Sequence, residues 1–141
     1  MSNARFATIA LADDTMPYLV TLSCGYDAVR RRLVFHVAPT GRKLDIIARN
    51  PHACLSIIED LGYKKGECAH PYRSVVMEGC LRLVEDADET RQAMRTLIGH
   101  LESEADSGNV YTRNNLDDDA ALARFRMLVF DIESMSAKEG E

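Results

Sequence analysis

The run from Tyr72 to Glu85, YRSVVMEGCLRLVE, alternates with the two-residue period of a β-strand and is the longest such run in the chain. Val75, Met77, Gly79, Leu81 and Leu83 form one row, and Val76, Glu78, Cys80, Arg82 and Val84 form the other. A glycine in mid-strand marks a bend or a close approach of another backbone. A strand of this length must be paired on both edges, so the rest of the chain has to supply a sheet. Shorter segments with strand character are Arg5 to Ala12, Tyr18 to Tyr26, Leu33 to Val37, Ala53 to Asp60 and Met127 to Ser136. The first two are joined across Asp13-Asp14-Thr15 at hairpin distance. Helical spacing is found at Gly41 to Asn50 and again at Ala87 to Leu101. The second helix is capped by Asp86 and carries Ala93, Met94, Leu97, Ile98 and Leu101 on one side. Residues 102–119 are acidic and polar and read as a loop, with a short helix opening at Asp117 to Asp119 and running to Arg124. Strands and helices do not alternate regularly. The expected fold is therefore mainly β, a six-stranded antiparallel barrel with inserted helices, in one domain spanning 1–141.

Leu33 to Pro51, LVFHVAPTGRKLDIIARNP, carries the chemistry. It reads as a strand, a Pro/Thr/Gly turn and a helix stopped by Pro51, with Leu44, Ile47 and Ala48 on the helix's packed face. Arg42 and Lys43 stand in the first helical turn, where unpaired N–H groups and the macrodipole favour anions. Two readings fit: the cations are solvated and partly offset by Asp45, or a phosphate sits between them and the exposed amides. His36 lies on the preceding strand, on the face opposite Phe35 and Val37, and beside Thr40, Arg42 and Lys43 becomes a candidate ligand contact.

Charge supports an anion site in the first half. Residues 1–80 carry a net +2 and residues 81–141 a net −7, giving −5 overall, which argues against a dedicated nucleic-acid binder. No apolar run reaches the ~20 residues of a membrane span. Cys24, Cys54, Cys68 and Cys80 are widely spaced without a C-x-x-C pair, as expected of reduced thiols in a cytoplasm. Cys68-x-His70 lacks a second pair at metal-binding spacing, so no metal is expected, and no nucleophile, base or phosphate-loop motif assigns a catalytic residue.

Several stretches taken together carry a resemblance: Pro17 to Val20, Phe35 to Asp45 with Asn50-Pro51, Tyr72 to Val75 followed by Gly79, Leu83 to Asp86, and Ile132 to Lys138. In that order they resemble the flavin-binding split-barrel proteins related to pyridoxamine 5′-phosphate oxidase, in the branch that includes nitroimidazole-resistance proteins. The resemblance implies a homodimer with FMN at the subunit interface. His36, Thr40, Arg42 and Lys43 would hold the phosphate and ribityl chain. Val20, Thr21, Leu22 and Ser23 would run beneath the flavin ring. Tyr72, Arg73 and Ser74 would contact FMN as well, from the same or the partner subunit.

It further implies an oxidoreductase acting on a small electron-poor substrate, a nitro compound or quinone; the alternative is a non-enzymatic flavin or haem carrier, with His36 or His70 as axial ligand. Val37 stands where a serine is common in this branch. Ser134 to Glu141 lacks the arginine/histidine signature that goes with pyridoxamine phosphate as substrate.

Overall fold

The computed structural model describes residues 4–140; residues 1–3 and 141 lie outside the described residues. The chain runs through β1 (Phe6–Asp13), β2 (Met16–Ser23), β3 (Gly25–Asp27), β4 (Arg32–Val37), α1 (Arg42–Arg49), β5 (His52–Asp60), β6 (Tyr72–Leu83), α2 (Ala87–Leu101), α3 (Glu104–Arg113), α4 (Asp119–Leu122) and β7 (Arg126–Gly140). All strands join one antiparallel sheet in the order β2-β1-β5-β6-β7-β4-β3.

Seven strands replace the expected six. The Tyr18 to Tyr26 segment divides at Cys24, whose amide makes the last in-register bond of that ladder, donating to the Arg5 carbonyl at 3.1 Å, before Gly25 turns to a new partner strand. Alternation continues through Cys24, so no change of period marks the break. Its consequence is topological: β2 and β3 are opposite edges of the sheet, yet one residue separates them. The sheet must curl until its edges meet there, which is barrel closure.

Two apolar clusters result. Inside the barrel, Leu33, Phe35 and Val37 of β4 meet Leu128 and Phe130 of β7, Met77 and Leu81 of β6, Leu55 and Ile57 of β5, and Ile9 of β1. The row predicted on β6 points inward. Helix α1 contributes Ile46 and Ile47 to this core, with Leu44 beside them, whereas Ala48 is exposed. Of the expected face, Leu44 and Ile47 pack on the core, while Ile46 takes the place expected of Ala48. Outside the barrel, Val34, Met127 and Val129 pack under α2 and α4 with Ala93, Met94, Leu97, Ile98, Leu116 and Leu122. β4 and β7 are therefore apolar on both faces over part of their length.

Residues 104–113 form α3 where a loop was expected. Ser103 caps it by accepting from the Asp106 amide, but none of its residues is buried, so no apolar stripe advertises it. β7 also runs four residues beyond Ser136, pairing with β6 as far as Tyr72↔Gly140. The β6–β7 ladder shifts register between Glu78 and Gly79, a bulge placed at the mid-strand glycine.

Candidate functional site

The turn from β4 delivers the chain to α1 through exposed Ala38, Pro39, Thr40 and Gly41. Gly41 takes φ 138° and ψ 160° and has no side chain to cap the helix. The other three helices are capped by the side chains of Asp86, Ser103 and Asp118. The Gly41 carbonyl accepts from the Leu44 amide at 2.8 Å. Lys43 folds back over this end, its Nζ 4.0 Å from where a Cβ on Gly41 would lie. A bare helix N-terminus with an ammonium group above it fits a phosphate in charge and in donor type.

Arg42 behaves differently. Its Nη2 donates to Asp13 Oδ2 at 3.1 Å, while Arg49 Nη2 donates to Asp13 Oδ1 at 2.6 Å. The Arg42 guanidinium also lies over the Tyr18 ring, 4.9 Å from its centroid. The two arginines hold the Asp13 carboxyl below its ordinary pKa, Arg42 first and Arg49 next. Asp13 ends β1 and Tyr18 lies on β2, so these contacts tie α1 to the β1–β2 hairpin.

Val20, Thr21, Leu22 and Ser23 follow Tyr18 on that edge strand. β2 pairs only with β1 and β1 continues to β5, leaving one side of β2 without a ladder partner among the described residues. Val20 and Leu22 are half-buried against the barrel core; Thr21 and Ser23 face outward, with the Thr21 and Thr8 hydroxyls 3.1 Å apart. His36 is exposed on the helical side of β4, where the neighbouring Val34 is buried. Its ring meets Phe125 with centroids 5.5 Å apart, and partial loss of water lowers its pKa. Phe125 was not singled out from sequence, since nothing local links residues so far apart.

Tyr72, Arg73 and Ser74 do not join this group within one chain. His36 pairs with Met127, and Met127 lies beside Leu128, which faces Leu83 at the far end of β6. Tyr72 is at the opposite end of that 12-residue strand, whose path is roughly 36 Å long at the usual rise. There Arg73 Nε donates to Glu139 at 2.9 Å, and Arg73 and Ser74 line a cleft of about 400 Å³ with Ile57, Val75, Ala137 and Lys138. A larger cleft, about 720 Å³, lies elsewhere, between Arg30 and Arg32 and the first turns of α2.

Of the remaining candidates, His70 Nε2 bonds Asp60 Oδ1 at 2.8 Å in the exposed β5–β6 loop. No group of three metal-ligating side chains occurs among the described residues. No helix among them is long and apolar enough to cross a membrane.

The outer face of the curled sheet, on the side away from α2, carries no helix among the described residues and displays Leu19, Ile58 and Val76, respectively 65%, 68% and 39% exposed.

A seven-stranded antiparallel sheet closed at a one-residue seam, holding one helix on its core and a helical layer on one flank, is a split barrel. The chain belongs to the pyridoxamine 5′-phosphate oxidase family, whose model matches residues 1–139. Among solved structures, a candidate 5-nitroimidazole antibiotic resistance protein from Bacteroides thetaiotaomicron superposes with a TM-score of 0.76 at 22% identity, over 99% of this chain and 79% of that one. An FAD- and haem-binding protein from Mycobacterium smegmatis gives 0.71 at 20% identity, over 99% and 67%. A flavocytochrome from Azotobacter vinelandii gives 0.73 at 14% identity, over 97% and 62%. At these identities the likeness is one of fold. No curated protein matches the chain in sequence.

Proposed function

We propose that two copies of this chain bind FMN between them and use it to reduce a small electron-poor substrate of the nitro or quinone type. The observation that carries the reading is the start of α1: a helix N-terminus without a side-chain cap, opened by Gly41 at φ 138°, with Lys43 folded over the opening. Those features suit a phosphate monoester, and family membership makes a flavin nucleotide the natural bearer of one. His36 and Thr40 border the same turn and would contact the ribityl chain. Val20 to Ser23 would pass beneath the ring, with the unpaired edge of β2 turned to its polar atoms. Flavin supplies the electron or hydride transfer; the chain's part is to orient the ring and exclude water.

The second copy is motivated by geometry. Tyr72, Arg73 and Ser74 stand at the end of β6 opposite the one that His36 adjoins, so they would reach the ligand from the partner. The bare outer sheet face, with Leu19, Ile58 and Val76 exposed, offers the apolar surface such pairing requires.

Absorption of the purified protein and quenching of FMN fluorescence on titration test the binding; a colourless protein that leaves FMN fluorescence unchanged overturns it. Steady NAD(P)H oxidation with a nitro or quinone acceptor supports the enzyme. Tight flavin uptake without turnover supports a carrier instead, and a Soret band on haem titration, lost in His36→Ala or His70→Ala, supports its haem form.

A further inference from the structure

We infer that Asp13 is a latch on Arg42, competing with the ligand's phosphate for that guanidinium and so setting how tightly the phosphate is held. The inference rests on the flavin reading of the α1 site.

Arg42 opens α1 and Arg49 closes it. Arg49 lies seven positions after Arg42, about two turns, so both side chains lie on one flank, with their Cα atoms ~10 Å apart along the axis. One carboxylate accepts from both, on separate oxygens. Asp13 therefore sits against the flank of the helix that carries both arginines. Arg49 reaches it in the direction helical side chains favour, toward the N-terminus. Arg42 spends its guanidinium on Asp13 and the Tyr18 ring, so a phosphate at the amides must compete for it. Lys43, by contrast, already lies over the helix end and has no ion-pair partner among the described residues.

The site thus has one cation in place and one held in reserve. A phosphate arriving at α1 gains the full service of Arg42 only if Arg42 exchanges Asp13 for it. Arg49 eases that exchange, because it remains with Asp13 and keeps the carboxylate from being left without a counter-charge. Asp13 is a positioning residue that touches neither ring nor phosphate.

The test is a cycle of variants titrated with FMN and with riboflavin, which lacks the phosphate. Asp13→Asn frees Arg42 and raises FMN affinity by about fivefold, with riboflavin affinity unchanged. In an Arg42→Gln background the same substitution gives no gain. Unchanged or weaker FMN binding in Asp13→Asn overturns the latch. So does a gain that persists without Arg42, because that is a general charge effect. If Asp13→Asn does not fold, Arg49→Gln carries the test. It leaves Asp13 to Arg42 alone and lowers FMN affinity by about threefold, a loss absent when Arg42 is also removed; no loss overturns the inference. Wild-type protein that binds no FMN overturns the flavin reading and the latch together, whereas FMN-binding protein indifferent to Asp13 overturns the latch alone.

Discussion

A Cβ placed on Gly25 of β3 would stand 2.8 Å from Leu97 Cα and 3.1 Å from Leu97 N and Thr96 O, so strand and helix meet backbone to backbone at this point. The contact seats α2 against the strand that follows the barrel seam. Gly25→Ala must push α2 away or distort β3. It is expected to cost about 2 kcal/mol and lower the melting temperature by roughly 6 °C, measured by calorimetry. An unchanged melting temperature would mean that α2 is loosely held.

Glu89 of α2 bonds Arg82 through both oxygens, at 2.9 and 2.6 Å, and accepts from buried Arg32 at 2.7 Å. Arg82 first, then Arg32, draws its pKa to about 2. Because the folded value lies below the unfolded one, this stabilisation is whole above about pH 4.5 and fades as pH falls toward 2. Glu89→Gln should lose about 2 kcal/mol at pH 7 and leave Arg32 short of charge. Its deficit against wild type should shrink below pH 4.5 in denaturant titrations; a deficit constant with pH would exclude the ionic account.

Lys43→Ala removes the ammonium above the α1 end. FMN affinity should fall about tenfold while riboflavin affinity holds, read by fluorescence quenching. Equal losses for both ligands would move the phosphate elsewhere.

Ile58→Glu introduces a charge on the bare sheet face and, in the proposed dimer, buries it without a partner. Light scattering should show a shift from dimer to monomer, with FMN binding lost in parallel. A dimer that survives would place the interface on another surface.

Phe125→Ala opens the ring contact that keeps water from His36. The His36 pKa, now lowered by burial, should rise toward its ordinary value in an NMR titration. No movement would assign the shift to some other neighbour.

The strands were legible wherever one face is buried and the other wet, as along Tyr72 to Leu83. The seam at Cys24 was not, because its alternation runs on into Tyr26 while only the partner strand changes. Helix α3 hid for the opposite reason: Ser107, Gly108, Asn109 and Thr112 are weak helix formers, and no buried stripe compensates. On α1, a helix that sends its side chains into a barrel core buries the adjacent Ile46 and Ile47 rather than a simple stripe. The cations at the start of α1 could be read from sequence as calling for an anion. That Asp13 already engages one of them could not, since 29 residues and a sheet crossing separate it from Arg42.

β7 places Leu128 and Phe130 in the barrel and Met127 and Val129 under the helices, so sliding it by one position merely swaps one oily pair for another. Solvent aversion, which polices alignment in most strands, is nearly blind here. The index mark is the kink at Glu78/Gly79, where only a residue without a side chain can nest against the Asp131 carbonyl. Alignment of the two longest strands is thus marked by that notch together with the polar pairs Arg73–Glu139, Ser134–Glu78 and Arg82–Asp131, and filling the notch would disturb register as well as stability.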